Sequence, residues 1–297
     1  MYDRFAFEQG GHFFCKKVGE NLNQNWIVEN LNNAFSTWNG KLGELWGLVT
    51  TGPQTFKGGA VWGVMQTLHN GMVGIGYALV VLFFAISLCK NTMNFHELKR
   101  PEAAIHYLIR FVAAKALVGY GMDIMLNVFS ICNGIVTDMA DSMGGISEAM
   151  VSLPAEMQTA IENVGFLASI PLWLVTILGS LFITVLSFVM ILTVYGRFFR
   201  LYMYTALAPL PLAAFAGEST QSVGISFLKS YVGVCLEGAV IVLACVIYSA
   251  FVSTPTVANG EATTIVWSYL AETVFNMLVL VGLIKGSDRI IHEMMGL

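Results

Sequence analysis

Long runs of apolar residues alternate with short polar stretches along most of the 297-residue chain. A helix needs roughly 20 residues, at about 1.5 Å of rise per residue, to cross the hydrocarbon core of a bilayer. Five apolar runs reach that length: 71–89, 103–133, 166–194, 230–252 and 264–284. The pattern therefore predicts an all-α fold, a polytopic membrane helix bundle with about five transmembrane helices.

Residues 1–60 are more polar, and we expect them to form an N-terminal amphipathic helical region ahead of a transmembrane domain at 61–297. Between residues 24 and 49, apolar side chains recur every three or four positions, which is the spacing of one helix face. They are Ile27, Leu31, Phe35, Trp38, Leu42, Leu45, Trp46 and Val49. Either a partner protein or the membrane surface would cover such a face, and tryptophans suit the headgroup level.

A further apolar segment, 198–217, is interrupted by Pro209 and Pro211. Prolines at positions i and i+2 remove two backbone donors and disfavour helical geometry in the preceding residues. Irregular backbone is stable at membrane depth only where protein or water satisfies it. We therefore expect a proline-broken re-entrant or interfacial hairpin that does not cross the bilayer.

The distribution of lysine and arginine supports a non-crossing hairpin, because these residues are enriched on the cytoplasmic side of membranes. With five spans, the basic stretches between and after the spans lie inside: 90–102, 197–200 and 285–297. The five lysines and arginines of 1–60 lie outside, where five acidic residues accompany them. The loops without lysine or arginine, 134–163 and 253–263, then lie outside. This arrangement predicts an external N-terminus, an extracytoplasmic 1–60 region and a cytoplasmic C-terminus.

Charged residues inside the predicted spans are candidates for intramembrane polar contacts: Arg110, Lys115, Asp123, Glu237 and Glu272. Each costs about 2.5–3.5 kcal/mol at a span centre on insertion scales, so they should pair or face water. Counting depth from the cytoplasmic boundary places Arg110 level with Glu237 and Lys115 level with Glu272, with Asp123 near the outer side. These two expected ion pairs either hold the bundle together or line a polar conduit.

Composition narrows the class of protein further. Apolar residues make up 56% of the chain and charged residues 11%, whereas soluble domains carry about 25% charged residues. A net charge of −4 without a basic stripe argues against nucleic-acid binding by bulk charge. The five cysteines form no CxxC pair, and no phosphate loop, nucleophile elbow or metal-ligand spacing is present. The sequence predicts a non-enzymatic protein without catalytic residues, cofactor or metal.

Residues 195–252 carry the most distinctive motif of the chain. An aromatic and basic run, YGRFFR, follows a long span, and Ala-Pro-Leu-Pro at 208–211, Ala-Gly-Glu at 216–218 and Lys-Ser-Tyr at 229–231 come after it. This stretch resembles the TrbL-like polytopic inner-channel membrane subunit of conjugative type IV secretion systems, in the form found on mobile elements of Gram-positive bacteria. The matching positions include Arg197, Arg200, Pro209, Pro211 and Lys229.

The resemblance implies a subunit of the platform in the bacterial cytoplasmic membrane through which single-stranded DNA, attached to a relaxase, leaves the donor cell. It also implies several copies of the chain, working with other channel subunits, cytoplasmic ATPases and membrane lipid. A proline-broken segment flanked by cations fits a cytoplasmic vestibule that guides a phosphate backbone, although the arginines would equally anchor a span at the interface. An independent small-solute transporter or ion channel, and a purely structural assembly scaffold, are the alternative functions.

Overall fold

A computed structural model gives the fold and describes residues 3–92, 101–142, 150–164, 166–251 and 262–296. The regular elements in these ranges are all helical, which confirms the predicted all-α class. The α-helices are α1 (Asp3–Thr50), α2 (Ala60–Thr92), α3 (Pro101–Gly119), α4 (Gly121–Ser142), α5 (Ala155–Glu162), α6 (Phe166–Leu207), α7 (Pro209–Ala213), α8 (Gln221–Phe251) and α9 (Ala262–Met295). Short 3₁₀ turns occupy Phe56–Gly59 and Ala214–Ala216.

Helices long and apolar enough to cross a membrane dominate the described part of the chain. The candidate spans are Phe56–Lys90, Ile170–Leu207, Gln221–Ala250 and Thr264–Met295. Helices α3 and α4 make a further candidate, because they form one apolar pair that is bent by 73°. The chain is therefore a multi-pass helical membrane protein, and the predicted bundle of about five spans is confirmed.

The predicted span 103–133 is broken at Tyr120, where α3 ends and α4 begins. Glycines on both sides of Tyr120 allow the broken helix to approach its neighbours closely. A Cβ atom on Gly119 would lie 2.8 Å from the hydroxyl oxygen of Tyr77, and one on Gly121 would lie 3.2 Å from Cδ1 of Leu212. The bend thus brings α3 and α4 against α2 and α7.

The chain divides into two compact units. Unit 1 comprises Met1–Trp46, Gly145–Leu192 and Ala244–Ile284, and unit 2 comprises Gly47–Gly144, Thr193–Leu243 and Lys285–Leu297. Helices α1, α6, α8 and α9 therefore contribute one end to each unit. The division into 1–60 and 61–297, with its external N-terminal region, stays a prediction.

The apolar face predicted on α1 is buried within the chain itself. Ile27, Leu31, Trp38 and Leu42 have no exposed surface, and Phe35 packs edge-on against Tyr269 of α9 with ring centroids 6.5 Å apart. Leu45 and Val49 are also fully buried, whereas Trp46 is half-buried. This face is covered by the chain's own helices rather than by the partner protein or membrane surface that the pattern left open.

The segment 198–217 begins differently from the predicted hairpin. Helix α6 continues unbroken through Leu207, and Pro209 and Pro211 then lie in the short helix α7. Proline suits the first turn of a helix, because its fixed φ is helical and its missing N–H has no intrahelical partner there. The break therefore falls at Ala208, and the non-crossing topology stays a prediction. Of the topology signals, Lys99, Arg100 and positions 252–261 lie outside the described residues.

Candidate functional site

Arg197 on α6 is fully buried in unit 2. Its guanidinium donates hydrogen bonds from Nη1 to the carbonyl oxygen of Val49 at 3.3 Å, from Nε to that of Val234 at 3.3 Å and from Nη2 to that of Cys235 at 3.2 Å. Val49 lies in the last turn of α1, where backbone carbonyls lack an intrahelical donor. Arg197 therefore ties α6 to the end of α1 and to the middle of α8.

Gly238 on α8 makes room for this guanidinium. A Cβ atom at Gly238 would lie 2.8 Å from Nη1 of Arg197 and 2.9 Å from its Cζ and Nη2. Such separations are well inside van der Waals contact, and the side chain they would displace is already held at three points. The absence of a side chain at Gly238 is thus part of the arginine site.

Arg200 lies one helical turn after Arg197 and forms an ion-pair cluster between α6, α8 and α9. Its Nη2 atom is 2.7 Å from both carboxylate oxygens of Glu237, and its Nη1 atom contacts the carboxylate of Asp288. The hydroxyl of Ser287 donates to Glu237 at 3.1 Å. Glu237 is 1% exposed and the Arg200 side chain 28%. A carboxylate so buried is tolerated because charged and hydroxyl donors satisfy its oxygens.

The predicted pairing of Arg110 with Glu237 is wrong. Glu237 pairs with Arg200, and Nη1 of Arg110 lies 4.0 Å from a carboxylate oxygen of Glu218, with both side chains partly exposed. The depth count failed because it assigned 198–217 to a separate hairpin. In the structure α6 continues as a helix, and this continuation carries Arg200 to Glu237.

The remaining predicted intramembrane charges have exposed side chains. Lys115 belongs to unit 2 and Glu272 to unit 1, and their pairing stays a prediction. Asp123, on α4, lines an open cavity of about 500 Å³ together with Asn127 and Asn133. The lining mixes these polar side chains with apolar ones such as Leu126 and Phe129, and the exposed Asp123 agrees with a charged residue that faces water.

The proline break creates a second polar contact, between α2 and α6. Pro209 has no N–H, so the carbonyl of Thr205, four residues earlier, loses its ordinary helical donor. Nδ1 of His69 lies 2.7 Å from this carbonyl oxygen. Because a carbonyl only accepts, Nδ1 carries the hydrogen and donates it. His69 is 1% exposed, so this bond replaces the missing one inside the protein.

Sequence reasoning missed His69. The histidine lies 136 positions from Thr205, and nothing in its local pattern distinguishes it from a packing residue. The available signal was indirect: a proline inside an otherwise helical segment leaves a carbonyl four residues earlier in need of a donor. That rule identifies Thr205 but not the residue that serves it.

The five residues of the predicted vestibule motif occupy different environments. Arg200 and Pro211 line one open cleft of about 490 Å³, together with Tyr204, Leu207 and Phe227. Arg197 and Pro209 are buried, and Lys229 is exposed on α8. The structure thus brings Arg200 and Pro211 together, places Arg197 among backbone carbonyls, and leaves Lys229 on the surface of unit 2.

The chemistry of these contacts is that of helix-to-helix attachment. Arginine donors meet carboxylates or backbone carbonyls, and a histidine satisfies the carbonyl at a proline. Among the residues that the structure describes, no group of three or more histidine, cysteine, aspartate or glutamate side chains is placed to hold a metal ion. Charges in the core of unit 2 are therefore directed at other helices.

Taken together, the fold and these contacts define a multi-pass helical membrane protein whose buried charges join its helices. A family model described as "TrbL/VirB6 plasmid conjugal transfer like protein" matches residues 38–209, more than half of the chain. The chain belongs to this family and is a membrane subunit of a conjugal transfer, type IV secretion system. The matched segment includes Arg197 and Arg200 but ends at Pro209, before Pro211 and Lys229. No curated protein and no solved structure matches the chain.

Proposed function

We propose that this protein is a non-enzymatic channel or platform subunit that helps single-stranded DNA, attached to a protein, to cross the bacterial cytoplasmic membrane. The observation that carries the proposal is the family match over 38–209 in a chain with four to five candidate spans. Its proposed partners are other channel subunits, cytoplasmic ATPases that supply the energy, further copies of itself, and transiently the DNA–relaxase substrate. The N-terminus lies outside and the C-terminus in the cytoplasm.

The geometry reassigns roles within the proposed vestibule. Arg197 has its guanidinium occupied by carbonyl oxygens of α1 and α8, so its proposed role is to hold the helices that surround the vestibule. Arg200 is held by Glu237 and Asp288 and positions the wall of the cleft it shares with Pro211. Lys229, exposed on α8, is the cation we propose to contact a phosphate backbone.

Deletion of the coding sequence in a donor strain, with complementation, tests the proposal directly. We expect transfer of the mobile element to be lost in the deletion strain and restored by the wild-type chain. A Lys229→Gln variant should lower transfer while leaving the amount of protein in the membrane unchanged, and Lys229→Arg should restore transfer because the charge returns. Unchanged transfer in the deletion strain would remove the proposed function altogether.

A structural assembly scaffold is the second candidate function, and the engagement of both arginines by other helices favours it. The two candidates differ in whether the chain touches the substrate. Photo-crosslinking in mating cells, with a crosslinker introduced next to Lys229, should recover DNA adducts if the protein lines the path. Normal assembly with other subunits but no DNA adducts would favour the scaffold. Transport activity in the purified chain alone would instead indicate an independent transporter.

A further inference from the structure

Helix α1 runs beside the most apolar helix of unit 1 without being apolar itself. The rings of Trp26 and Trp173 lie 5.9 Å apart, and Nδ2 of Asn30 donates to Oγ of Ser180 at 2.9 Å. Further along both helices, Nζ of Lys41 lies 6.0 Å from the ring centroid of Phe188. Residues 26–41 of α1 are therefore level with residues 173–188 of α6.

This shared stretch is comparable in length with the thickness of a membrane core, so residues 26–41 would lie at membrane depth and not in the extracytoplasmic 1–60 region that the sequence predicts. Fifteen residues of helix rise about 22 Å, against roughly 30 Å for the hydrocarbon thickness. Over the same stretch the outer side of α6 is apolar and exposed, as expected of a surface in lipid. Its exposed side chains include Trp173, Leu174, Leu178, Leu181, Phe182, Val185 and Phe188.

The outer side of α1 at this level is polar. Beyond Trp26, which is exposed and packs against Trp173, its exposed positions repeat every three or four residues, opposite the buried apolar face, and are Glu29, Asn32, Asn33, Ser36, Gly40 and Gly43. They include a carboxylate, two amides and a hydroxyl. At Gly40 and Gly43 the helix backbone lies open, because a Cβ atom there would meet nothing within 4 Å. We call this surface the α1 polar face.

Lipid is an unfavourable neighbour for the α1 polar face. A charged residue at the centre of a span costs about 2.5–3.5 kcal/mol on insertion scales, and side-chain amides add further desolvation. A dry contact between two copies through this face is also unfavourable. The exposed positions hold no lysine or arginine, so such a contact would bury the Glu29 carboxylate without a cation from the same face.

We propose that the α1 polar face borders a water-filled passage enclosed by several copies of this chain, while the apolar side of α6 faces lipid. The inference deepens the proposed function, on which it rests, by naming the surface along which a translocating substrate would move. Between Glu29 and Gly43 the lining consists of a carboxylate, amides, a hydroxyl and bare glycine backbone. Such a lining suits passage, because it offers water contacts and no exposed apolar side chain to retain an extended polymer.

Cysteine accessibility in the assembled membrane protein tests this surface. The five native cysteines are first replaced, and single cysteines are introduced as Asn33→Cys, Ser36→Cys or Gly40→Cys. Matched controls at the same level of unit 1 are Leu178→Cys, Leu181→Cys and Phe182→Cys. The probe is a charged, membrane-impermeant methanethiosulfonate, which reacts with the hydrated thiolate. We expect the α1 positions to react at least about tenfold faster than the α6 controls, because water is needed to ionise the thiol.

Two outcomes would overturn the inference. Equally slow reaction at the α1 and α6 positions would place the α1 polar face in lipid or in a dry contact. Spontaneous disulfides between copies through Gly40→Cys, together with protection from the reagent, would show a closed protein interface. Mating assays on the same strains separate this result from the proposed function. Fast labelling of the α1 positions in a protein that DNA transfer does not need would support the water-filled passage and reject the proposed function. Loss of DNA transfer in the deletion strain, without labelling of the α1 positions, would support the proposed function and reject the passage.

Discussion

The guanidinium of Arg197 occupies the space that a side chain at Gly238 would fill, with 2.8 Å between Nη1 and an added Cβ atom. Arg197 also bonds to the carbonyl oxygens of Val234 and Cys235, which precede Gly238 on α8. The glycine and the arginine therefore form one structural unit. A substitution at either position should therefore disturb the packing at the other.

We expect Gly238→Ala to lower the free energy of unfolding by about 1–3 kcal/mol, because the added methyl group overpacks the arginine site. Gly196→Ala is the matched control, since Gly196 is next to Arg197 on α6 and has nothing within 4 Å of an added Cβ. The control should be neutral or stabilising by up to about 1 kcal/mol, as alanine is the better helix former. Denaturant titration of the detergent-solubilised protein measures both. Equal losses would contradict the assigned role of Gly238.

The Arg200–Glu237 pair should behave as a coupled unit. Removing one partner leaves the other charge poorly paired in the core, so Glu237→Gln should destabilise the protein by about 2 kcal/mol or more. Replacing both charges, as Arg200→Met with Glu237→Leu, should recover part of that loss because neither member of the pair is left without its partner. The buried Arg197 stays nearby and keeps its three carbonyl acceptors. Asp288 tolerates the loss of Arg200 because its side chain is 44% exposed. Double-mutant analysis of unfolding free energies measures the coupling.

An exposed ion pair is the control for the double-mutant analysis of Arg200 and Glu237. Arg289 and Glu293 form a contact on α9 with side chains 85% and 66% exposed. Replacing either by alanine should change the free energy of unfolding by less than about 1 kcal/mol. Strictly additive effects at Arg200 and Glu237 would show that the bidentate contact makes no net contribution to stability.

His69 and Pro209 should also be coupled, through the carbonyl of Thr205. His69→Leu leaves that carbonyl without a donor and should cost about 1–3 kcal/mol. Pro209→Ala restores an N–H four residues after Thr205, so the double variant should be more stable than additivity predicts. His106→Leu, at an exposed histidine of α3, should change stability by less than about 0.5 kcal/mol. Additivity of the His69 and Pro209 changes would count against the replacement of a helical bond by the histidine.

At Gly76, α2 packs closely against Pro209 and Val118. A Cβ atom there would lie 2.9 Å from Cγ1 of Val118 and 3.0 Å from both Cβ and the carbonyl oxygen of Pro209. Because backbone cannot yield as a flexible side chain does, Gly76→Ala should lower the free energy of unfolding by about 1–3 kcal/mol. Gly74→Ala, with open space at its Cβ, should not. Thermal unfolding of the two variants in detergent distinguishes them, and similar midpoints would contradict the close packing.

The features that depend on local periodicity were predictable. The apolar face of α1 follows from spacing alone, and Ile27, Leu31 and Leu42 are indeed fully buried. The candidate spans follow from run length, because a long uncharged stretch has few alternatives to a membrane helix. The break inside 103–133 had a signal as well: the run exceeds one span in length and contains glycines on both sides of Tyr120.

The partners of buried charges were not predictable in the same way. Depth counting assumes straight helices that begin at the membrane boundary, and the assumption failed for Glu237 because α6 continues past Phe198 to carry Arg200 inward. His69 and Thr205 are joined by tertiary packing across 136 positions. A buried charge or an unpaired carbonyl in the sequence indicates that a hydrogen-bond or ion-pair partner is needed, but the packing of the helices determines which residue is that partner.

The three-way attachment made by Arg197 also constrains how the chain is built during synthesis. Val49 is synthesised before Arg197, whereas Val234 and Cys235 are synthesised 37 and 38 residues after it. When α6 leaves the ribosome, the guanidinium therefore has the end of α1 as an acceptor but lacks its α8 carbonyls. Helix α8 thus completes a site that α1 begins, and a chain that stops before α8 would leave Arg197 without two of its three carbonyl acceptors.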